Sequence, residues 1–277
     1  MKTVNPPLRM MGSKVRQAHN IIPIIQSIPR DFYFEPFFGI GGLFFNKPYE
    51  KNEIVNDING LAINFFRTLK TKEGLNTIVE IANKTPMARE FWYECRQVCR
   101  DYGTESFEES LKKACLTDYP PLYSLAFAYF YAVVNDFGSG LMTSFATIGA
   151  GKVKDNKCER YWNKVNSLEM FSERLKHVVI ENKNWNEFNG LYDNPNGLIY
   201  FDPPYENTSG FKYPFDHNEF FDRLKKVKAK TVVSCYDSDR YQELLDYGYE
   251  KRSFNASSSV NKGGNQACIE TVYFKTK

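Results

Sequence analysis

The chain has 277 residues, 42% of them hydrophobic and 16% aromatic, enough for one large domain or one domain with a sizeable insertion. Its net charge of +3 is mildly basic, which admits a nucleic-acid partner without demanding one. The longest apolar run, PLYSLAFAYFYAVV at 121–134, is too short and too rich in tyrosine to span a bilayer, so no membrane partner is expected. Lys2, Asn5, Pro6 and Pro7 stand where a signal peptide needs an apolar run, so the expected location is the cytoplasm. The six cysteines show no C-x-x-C pair and read as reduced thiols, Cys95 and Cys99 sharing one buried helix face.

GSKVRQAHNIIPII opens with a short helix after Gly12 and Ser13. DFYFEPFFGIGGLFFNK, 31–47, reads as an apolar strand, a glycine-bearing turn and the start of an apolar helix. NEIVNDINGLAINFFRTLK repeats the plan, with a strand at 53–56 and a helix from about 59. Strand–helix–strand–helix is the signature of a parallel α/β sheet. From 71 to 165 the pattern is helical, with Phe91, Trp92, Phe127 and Phe130 at core spacing. A looser stretch holding Gly138, Gly140, Gly149 and Gly151 follows the last of these helices. The α/β rhythm returns with KHVVIENKNW, GLIYFDPPY, a helix in DHNEFFDRLKKVK and the strand TVVSCY. Asp216 and Glu219 predict a capping box for that helix. The end, from Tyr249 onward, alternates around a Gly-Gly and predicts a terminal hairpin.

The expected fold is therefore α/β: a doubly wound, Rossmann-like sheet formed by 1–70 and 166–277, interrupted by a mostly helical insertion at 71–165. The first strand–turn–helix of such a sheet is where a nucleotide-like ligand sits, because glycine lets the backbone approach it. Here Gly39 and Gly41 fit the dinucleotide fingerprint, but Phe44 occupies its third glycine position, which argues against a nucleotide-dependent oxidoreductase. Glu35-Pro36 precedes the turn. An acid there repels a pyrophosphate and suits a ligand with a cationic end, such as the amino group and sulfonium of S-adenosylmethionine. Asp57, at the tip of the next strand, can accept from ribose hydroxyls. A tight turn with an incidental acid, and a solvated loop acid at 57, fit the same residues.

GLIYFDPPY carries the sharper signal. A buried strand ends in Asp202, Pro203, Pro204 and Tyr205, and the two prolines stiffen the turn. The exocyclic amino group of a nucleobase is a poor nucleophile because its lone pair is delocalised into the ring. The Asp202 carboxylate and the Pro203 carbonyl can accept its N–H bonds and leave the lone pair facing a methyl donor. Tyr205 offers a ring for stacking a base taken out of the duplex.

These motifs resemble those of the Dam-like DNA adenine-N6 methyltransferases, in which the cofactor motif precedes the catalytic one. LRMMGSK, 8–14, looks like the N-terminal cofactor motif, with Lys14 as its lysine and Met10 where the family often has an aromatic residue. FEPFFGIGG is similar to the EPF-x-G-x-G motif, which supplies Glu35, Pro36, Phe37, Gly39 and Gly41. VNDIN looks like the ribose-binding motif, with Asp57 and its neighbour Ile58. DPPY matches the catalytic tetrapeptide, and TVVSCYD and ETVYFK resemble the later strands. The contact to the cofactor adenine falls in NKNWNEF, where the family often has an acid and this chain has Asn186. The resemblance implies methyl transfer from S-adenosyl-L-methionine to N6 of a flipped adenine in double-stranded DNA. The product is S-adenosyl-L-homocysteine, and no metal is required.

The family's target-recognition domain lies where this chain has its helical insertion. Lys152, Lys154, Lys157 and Arg160, with Tyr161 and Trp162, can track a phosphate backbone; each alone fits a solvated face equally well. ENTSGFKYP, 206–214, is expected to close over the base, with Lys212 meeting phosphate. The same chemistry would serve cytosine N4 or an adenine in RNA, and a non-catalytic DNA-binding relative would keep the same fold. Motif order and EPF favour adenine in DNA. No nuclease motif is present, so a restriction endonuclease acting beside this chain would be a separate protein. A monomer is expected, acting at the nucleoid.

Overall fold

The computed structural model describes residues 3–137, 142–146, 156–188, 190–206, 213–258 and 266–277. By contacts the chain divides into two compact units. One comprises Met1–Val4, Gly12–Ile58 and His177–Lys277, the other Asn5–Met11 and Asn59–Lys176.

The first unit is built on one sheet of seven strands: β1 (Phe32–Glu35), β2 (Glu53–Asn56), β3 (Val178–Glu181), β4 (Gly197–Phe201), β5 (Lys230–Tyr236), β6 (Glu250–Ser258) and β7 (Gln266–Lys275). Their order is β3-β2-β1-β4-β5-β7-β6. β1 through β5 pair in parallel, and β7 runs antiparallel to both β5 and β6. The chain winds outward from β1 to β2 and β3, then starts again on the other side of β1 with β4 and β5. This is the doubly wound arrangement expected, closed by the expected terminal hairpin. β2 and β4 are buried along their whole length; β4 is a continuous apolar run, whereas β2 also buries Glu53 and Asn56 at its ends.

Side chains alternate between the faces of the sheet. Phe34, Ile199, Phe201, Val233 and Cys235 form one buried layer with Phe220, Phe221 and Leu224 of helix α9 (His217–Lys226). Tyr33, Glu35 and Tyr200 point to the other face. α9 begins as predicted at Asp216, whose Oδ1 accepts from the N–H groups of Asn218 (2.8 Å) and Glu219 (3.0 Å). The reciprocal half of the capping box is absent, because the Glu219 carboxylate takes the Asn186 amide instead (3.0 and 3.3 Å). The other helices of this unit are α1 (Ala18–Ser27), entered through a 3-10 turn at Lys14–Arg16, and the short α10 (Asp239–Gln242).

The apolar helix expected after the first glycine turn is only a single 3-10 turn, Phe44–Asn46. Pro48 stops it from lengthening. Lys47 is drawn into the interior, where Nζ meets the carboxylates of Glu53 (2.5 Å) and Glu50 (2.6 Å) and lies 4.3 Å from the centre of the Tyr33 ring.

The second unit is helical: α2 (Gly60–Lys70), α3 (Lys72–Lys84), α4 (Arg89–Asp101), α5 (Phe107–Lys113), α6 (Pro121–Val134), α7 (Lys157–Asn166) and α8 (Leu168–Leu175). α6 is the apolar run of 121–134 and is buried almost throughout, as a helix apolar on every side must be. Trp92 donates Nε1–H to the carbonyl of Ala132 (2.8 Å), and Phe65 stacks on Phe130 at 5.7 Å. Trp92, Phe127 and Phe130 are core residues as predicted, and Phe91 is half-buried. Among the described residues the only strand-like pairing here is a bridge between Asp136 and Phe145.

Candidate active site

In an open α/β sheet the ligand crevice lies at the carboxyl ends of the strands where the winding reverses. Here that point is between β1 and β4, adjacent parallel strands that end at Glu35 and Phe201. The pairing Phe34↔Ile199 sets Glu35 beside Tyr200, and Asp202 lies on that same face of β4. On β7, Glu270 pairs with Tyr236 of β5, two residues beyond Ser234, whose Oγ shares a 2.8 Å hydrogen bond with the Tyr200 hydroxyl. Alternation thus collects Glu35, Asp202, Tyr236 and Glu270 on one face at the crevice.

Lys14 enters this group from outside the sheet. Its ammonium lies 2.9 Å from Asp202 Oδ1 and 3.5 Å from Glu270 Oε1, and donates to the Gly12 carbonyl (3.2 Å). It also sits 4.6 Å from the centre of the Tyr205 ring. The Tyr205 hydroxyl donates to Glu270 Oε1, and its ring meets that of Tyr236 edge-on at 4.7 Å. Burial pushes the Asp202 carboxyl up to about 6; Lys14 opposes this and Glu270 adds to it. Burial would lower the Lys14 ammonium, but Asp202 and Glu270 outweigh it and hold its pKa above the usual value. Burial, with both acids nearby, keeps the Tyr205 hydroxyl protonated far into base.

The glycine turn is tied down from three sides. Gly39 N–H donates to Asp57 Oδ2 (2.7 Å), Phe38 N–H to the Asn56 carbonyl (2.8 Å), and Gly41 N–H to the Phe38 carbonyl (2.8 Å). Gly41 has φ +72°, and a Cβ there would come within 2.7 Å of the Phe38 and Phe45 rings. At Gly42 a Cβ would lie 2.4 Å from Ser13 Oγ, so the absence of a side chain lets the segment bearing Lys14 pack on the turn. Glu35, 2% exposed, takes a 3.0 Å hydrogen bond from Tyr33 and makes no ion pair among the described residues. Burial therefore pushes its carboxyl well above the usual range. A cationic group on a ligand would reverse that shift.

A model of the D12 class N6 adenine-specific DNA methyltransferases matches residues 11–260. The chain belongs to this family. Among its curated relatives are the DNA N-6-adenine-methyltransferase of Escherichia phage P1 and the Type II methyltransferase M1.LlaDCHI of Lactococcus lactis subsp. cremoris, each 24% identical. The first match covers 83% of this chain and 30% of the phage protein, so the chain spans under a third of that relative. The second covers 91% of both chains.

In this member of the family the sheet unit holds Lys14, Glu35, Pro36, Phe37, Gly39, Gly41, Asp57, Ile58 and the Asp202–Tyr205 turn. Phe37 packs among Trp185, Phe201, Phe215 and Phe220. Ile58 is 39% exposed beside Asp57. Asn186 lines a cavity of about 360 Å³ with Pro36, Trp185 and Phe201, but its amide is engaged by Glu219. Met10 belongs to the helical unit and is half-buried. Lys157 and Arg160 lie on α7, capped by Asn156, whose Oδ1 accepts from the N–H groups of Cys158 (3.0 Å) and Glu159 (3.3 Å). Tyr161, expected to face a backbone, is instead buried against Phe130 and Tyr131, whereas Trp162 is 37% exposed. Lys152, Lys154 and Lys212, and most of 206–214, lie outside the described residues.

Sequence reasoning missed two residues. Asn56 is fully buried, donates to the Pro36 and Lys183 carbonyls (3.0 Å each) and accepts from Lys183 N–H (2.9 Å), locking the ends of β1, β2 and β3 together. Glu270 is the other; its one visible signal is an acid inside the apolar run CIETVYF. Among the described residues no group of three or more His, Cys, Asp or Glu side chains could hold a metal ion, and no helix is long and apolar enough to cross a membrane. Cys95, Cys99, Cys115, Cys158 and Cys235 are free thiols; the side chain of Cys268 is outside the described residues.

Proposed function

We propose that this chain binds S-adenosylmethionine in the crevice at the ends of β1 and β2 and methylates N6 of an adenine flipped out of double-stranded DNA. The observation that carries the reading is Asp202. It follows a buried strand in a two-proline turn beside an ammonium and a tyrosine, one strand away from Glu35, a buried acid that makes no ion pair among the described residues. When bound, the cofactor supplies a methyl group on a sulfonium. Glu35 is suited to its cationic end, and Asp57, fixed between Gly39 and Asn182 (2.7 Å each), to its ribose hydroxyls. Asn186 or its neighbours on the 3-10 turn Trp185–Phe188 would meet its adenine.

Asp202 accepts an N–H bond from the target amino group, and the Pro203 carbonyl accepts the other. The lone pair is then held in line for transfer, and positioning and fixed charge do the work without a covalent enzyme intermediate. Lys14 keeps Asp202 ionised against the cost of burial. Tyr205 stacks on the base and offsets part of the few kcal/mol of unstacking. The helical unit, Lys157 and Arg160 included, is proposed to grip the duplex, acting as a monomer on cytoplasmic DNA. The Lactococcus relative is named a Type II methyltransferase, which supports the methyl-transfer reading; a restriction endonuclease, if one accompanies this chain, is a separate chain.

The test is transfer of label from methyl-labelled S-adenosylmethionine into mixed-sequence DNA, with poly(dG)·poly(dC) in parallel. Label confined to adenine-containing DNA is expected. Nucleoside mass spectrometry of the labelled mixed-sequence DNA, with RNA assayed beside it, decides the acceptor: label in N4-methylcytosine would move it to cytosine, and label in RNA alone would move it out of DNA.

A further inference from the structure

A buried acid on the antiparallel strand contacts both Tyr205 of the DPPY turn and the lysine that pairs with Asp202. Glu270, 5% exposed, lies in the middle of β7, 65 residues along the chain from Tyr205. Its Oε1 accepts the Tyr205 hydroxyl and lies 3.5 Å from Lys14 Nζ, the same ammonium that pairs with Asp202 at 2.9 Å. Glu270 thereby takes the hydroxyl of Tyr205, whose ring meets Tyr236 at its edge and Lys14 on its π-face, and whose side chain also hydrogen-bonds Asp202. A tyrosine used only for stacking needs no buried acceptor for its hydroxyl; a buried carboxylate supplied for that purpose fixes the plane of the ring.

We propose that Glu270 is a positioning residue for methyl transfer: it sets the Tyr205 ring plane and divides Lys14 with Asp202, so the base platform and the amino-group acceptor are adjusted together from β7. This rests on the reading above, in which Tyr205 stacks on the target base and Asp202 accepts from its amino group. The charged and titratable groups around Asp202 are Lys14 and Glu270, with Tyr205 and Tyr200, and Glu35 on the neighbouring strand. Of these Glu270 is the negative charge that shares Lys14. Removing it leaves the ammonium to Asp202 alone, and Asp202 then stays ionised to lower pH.

The experiment compares wild type, Glu270→Gln, Tyr205→Phe and the double variant in steady-state adenine methylation across pH. Each single change is expected to lower kcat roughly ten- to a hundredfold, the scale of a misplaced reacting group. KM for DNA should move by less than about threefold, and the double variant should be no worse than the poorer single, because both changes break one linkage. Glu270→Gln should also move the acidic limb of the kcat profile to lower pH, which a merely structural residue would not do. Wild-type kcat in Tyr205→Phe, additive losses in the double variant, or an unmoved acidic limb would overturn the proposal. Should Glu270→Gln fail to fold by circular dichroism, Tyr205→Phe decides alone through kcat. If wild type itself forms no N6-methyladenine, it is the reading of the site that fails.

Discussion

Asp202 and Glu35 are acids placed where burial penalises their charge, and each predicts a distinct outcome. Asp202 has its carboxyl raised to about 6, so methylation should fall as pH drops through about 6, when protonation removes an acceptor for the amino group. Stability runs the opposite way. The folded state holds this proton more tightly than the unfolded chain, so the stabilisation is fullest below the unfolded value near 4 and is lost as pH rises from there through about 6. A pH–rate profile set beside urea unfolding at pH 4.5 and 7.5, in wild type and Asp202→Asn, would show both limbs; an acidic limb unmoved by the substitution would contradict the assignment. Glu35→Gln should weaken S-adenosylhomocysteine binding about ten- to a hundredfold, the worth of a hydrogen bond to a charged group, as measured by calorimetry. Unchanged affinity would remove Glu35 from the cofactor's amino end. These residues were legible because EPF and DPPY are contiguous in the chain. Glu270 was not, because only antiparallel pairing of β7 with β5 brings it to Tyr205.

Among elements, the glycine turn and the segment after it carry the sharpest structural predictions. Gly41→Ala combines a left-handed φ with a collision against two phenyl rings, and should cost about 2–4 kcal/mol in urea unfolding. Lys47→Ala removes the ammonium shared by the buried Glu53 and by Glu50 and should cost about 3–5 kcal/mol in the same measurement. A loss under about 1 kcal/mol in either would show that the segment relaxes freely. This segment is also where the sequence misled. LFFNK is apolar enough to suggest a helix, but apolar content alone does not separate a long helix from one 3-10 turn. The ion pair that draws Lys47 inward is formed with Glu53 on the following strand. The strands β1, β4 and β5 were readable because buried parallel strands are short, mostly apolar runs between turns, and β2 from Ile54 and Val55 in a repeat of the same strand–turn–helix plan.

At the scale of the whole chain, the alternation of strand and helix and the return of that rhythm after a helical stretch gave the doubly wound sheet. Contacts group α2 and α8 with the helical unit as well, since packing rather than periodicity decides which unit a helix joins. The proposed grip on DNA predicts that Lys157→Ala and Arg160→Ala each weaken binding across all sequences and lower the salt slope by about one. Fluorescence anisotropy over a range of salt concentrations checks this, and an unchanged slope would return both residues to a solvated face. The reaction proposed for the Asp202 turn is methyl transfer to adenine N6. The most direct test is nucleoside mass spectrometry of unmethylated DNA incubated with S-adenosylmethionine and either wild type or Asp202→Ala. The prediction is N6-methyladenine with wild type and a loss of at least about a hundredfold with the variant, while S-adenosylhomocysteine still binds it. N6-methyladenine formed equally well by Asp202→Ala, or N4-methylcytosine in its place, would contradict it.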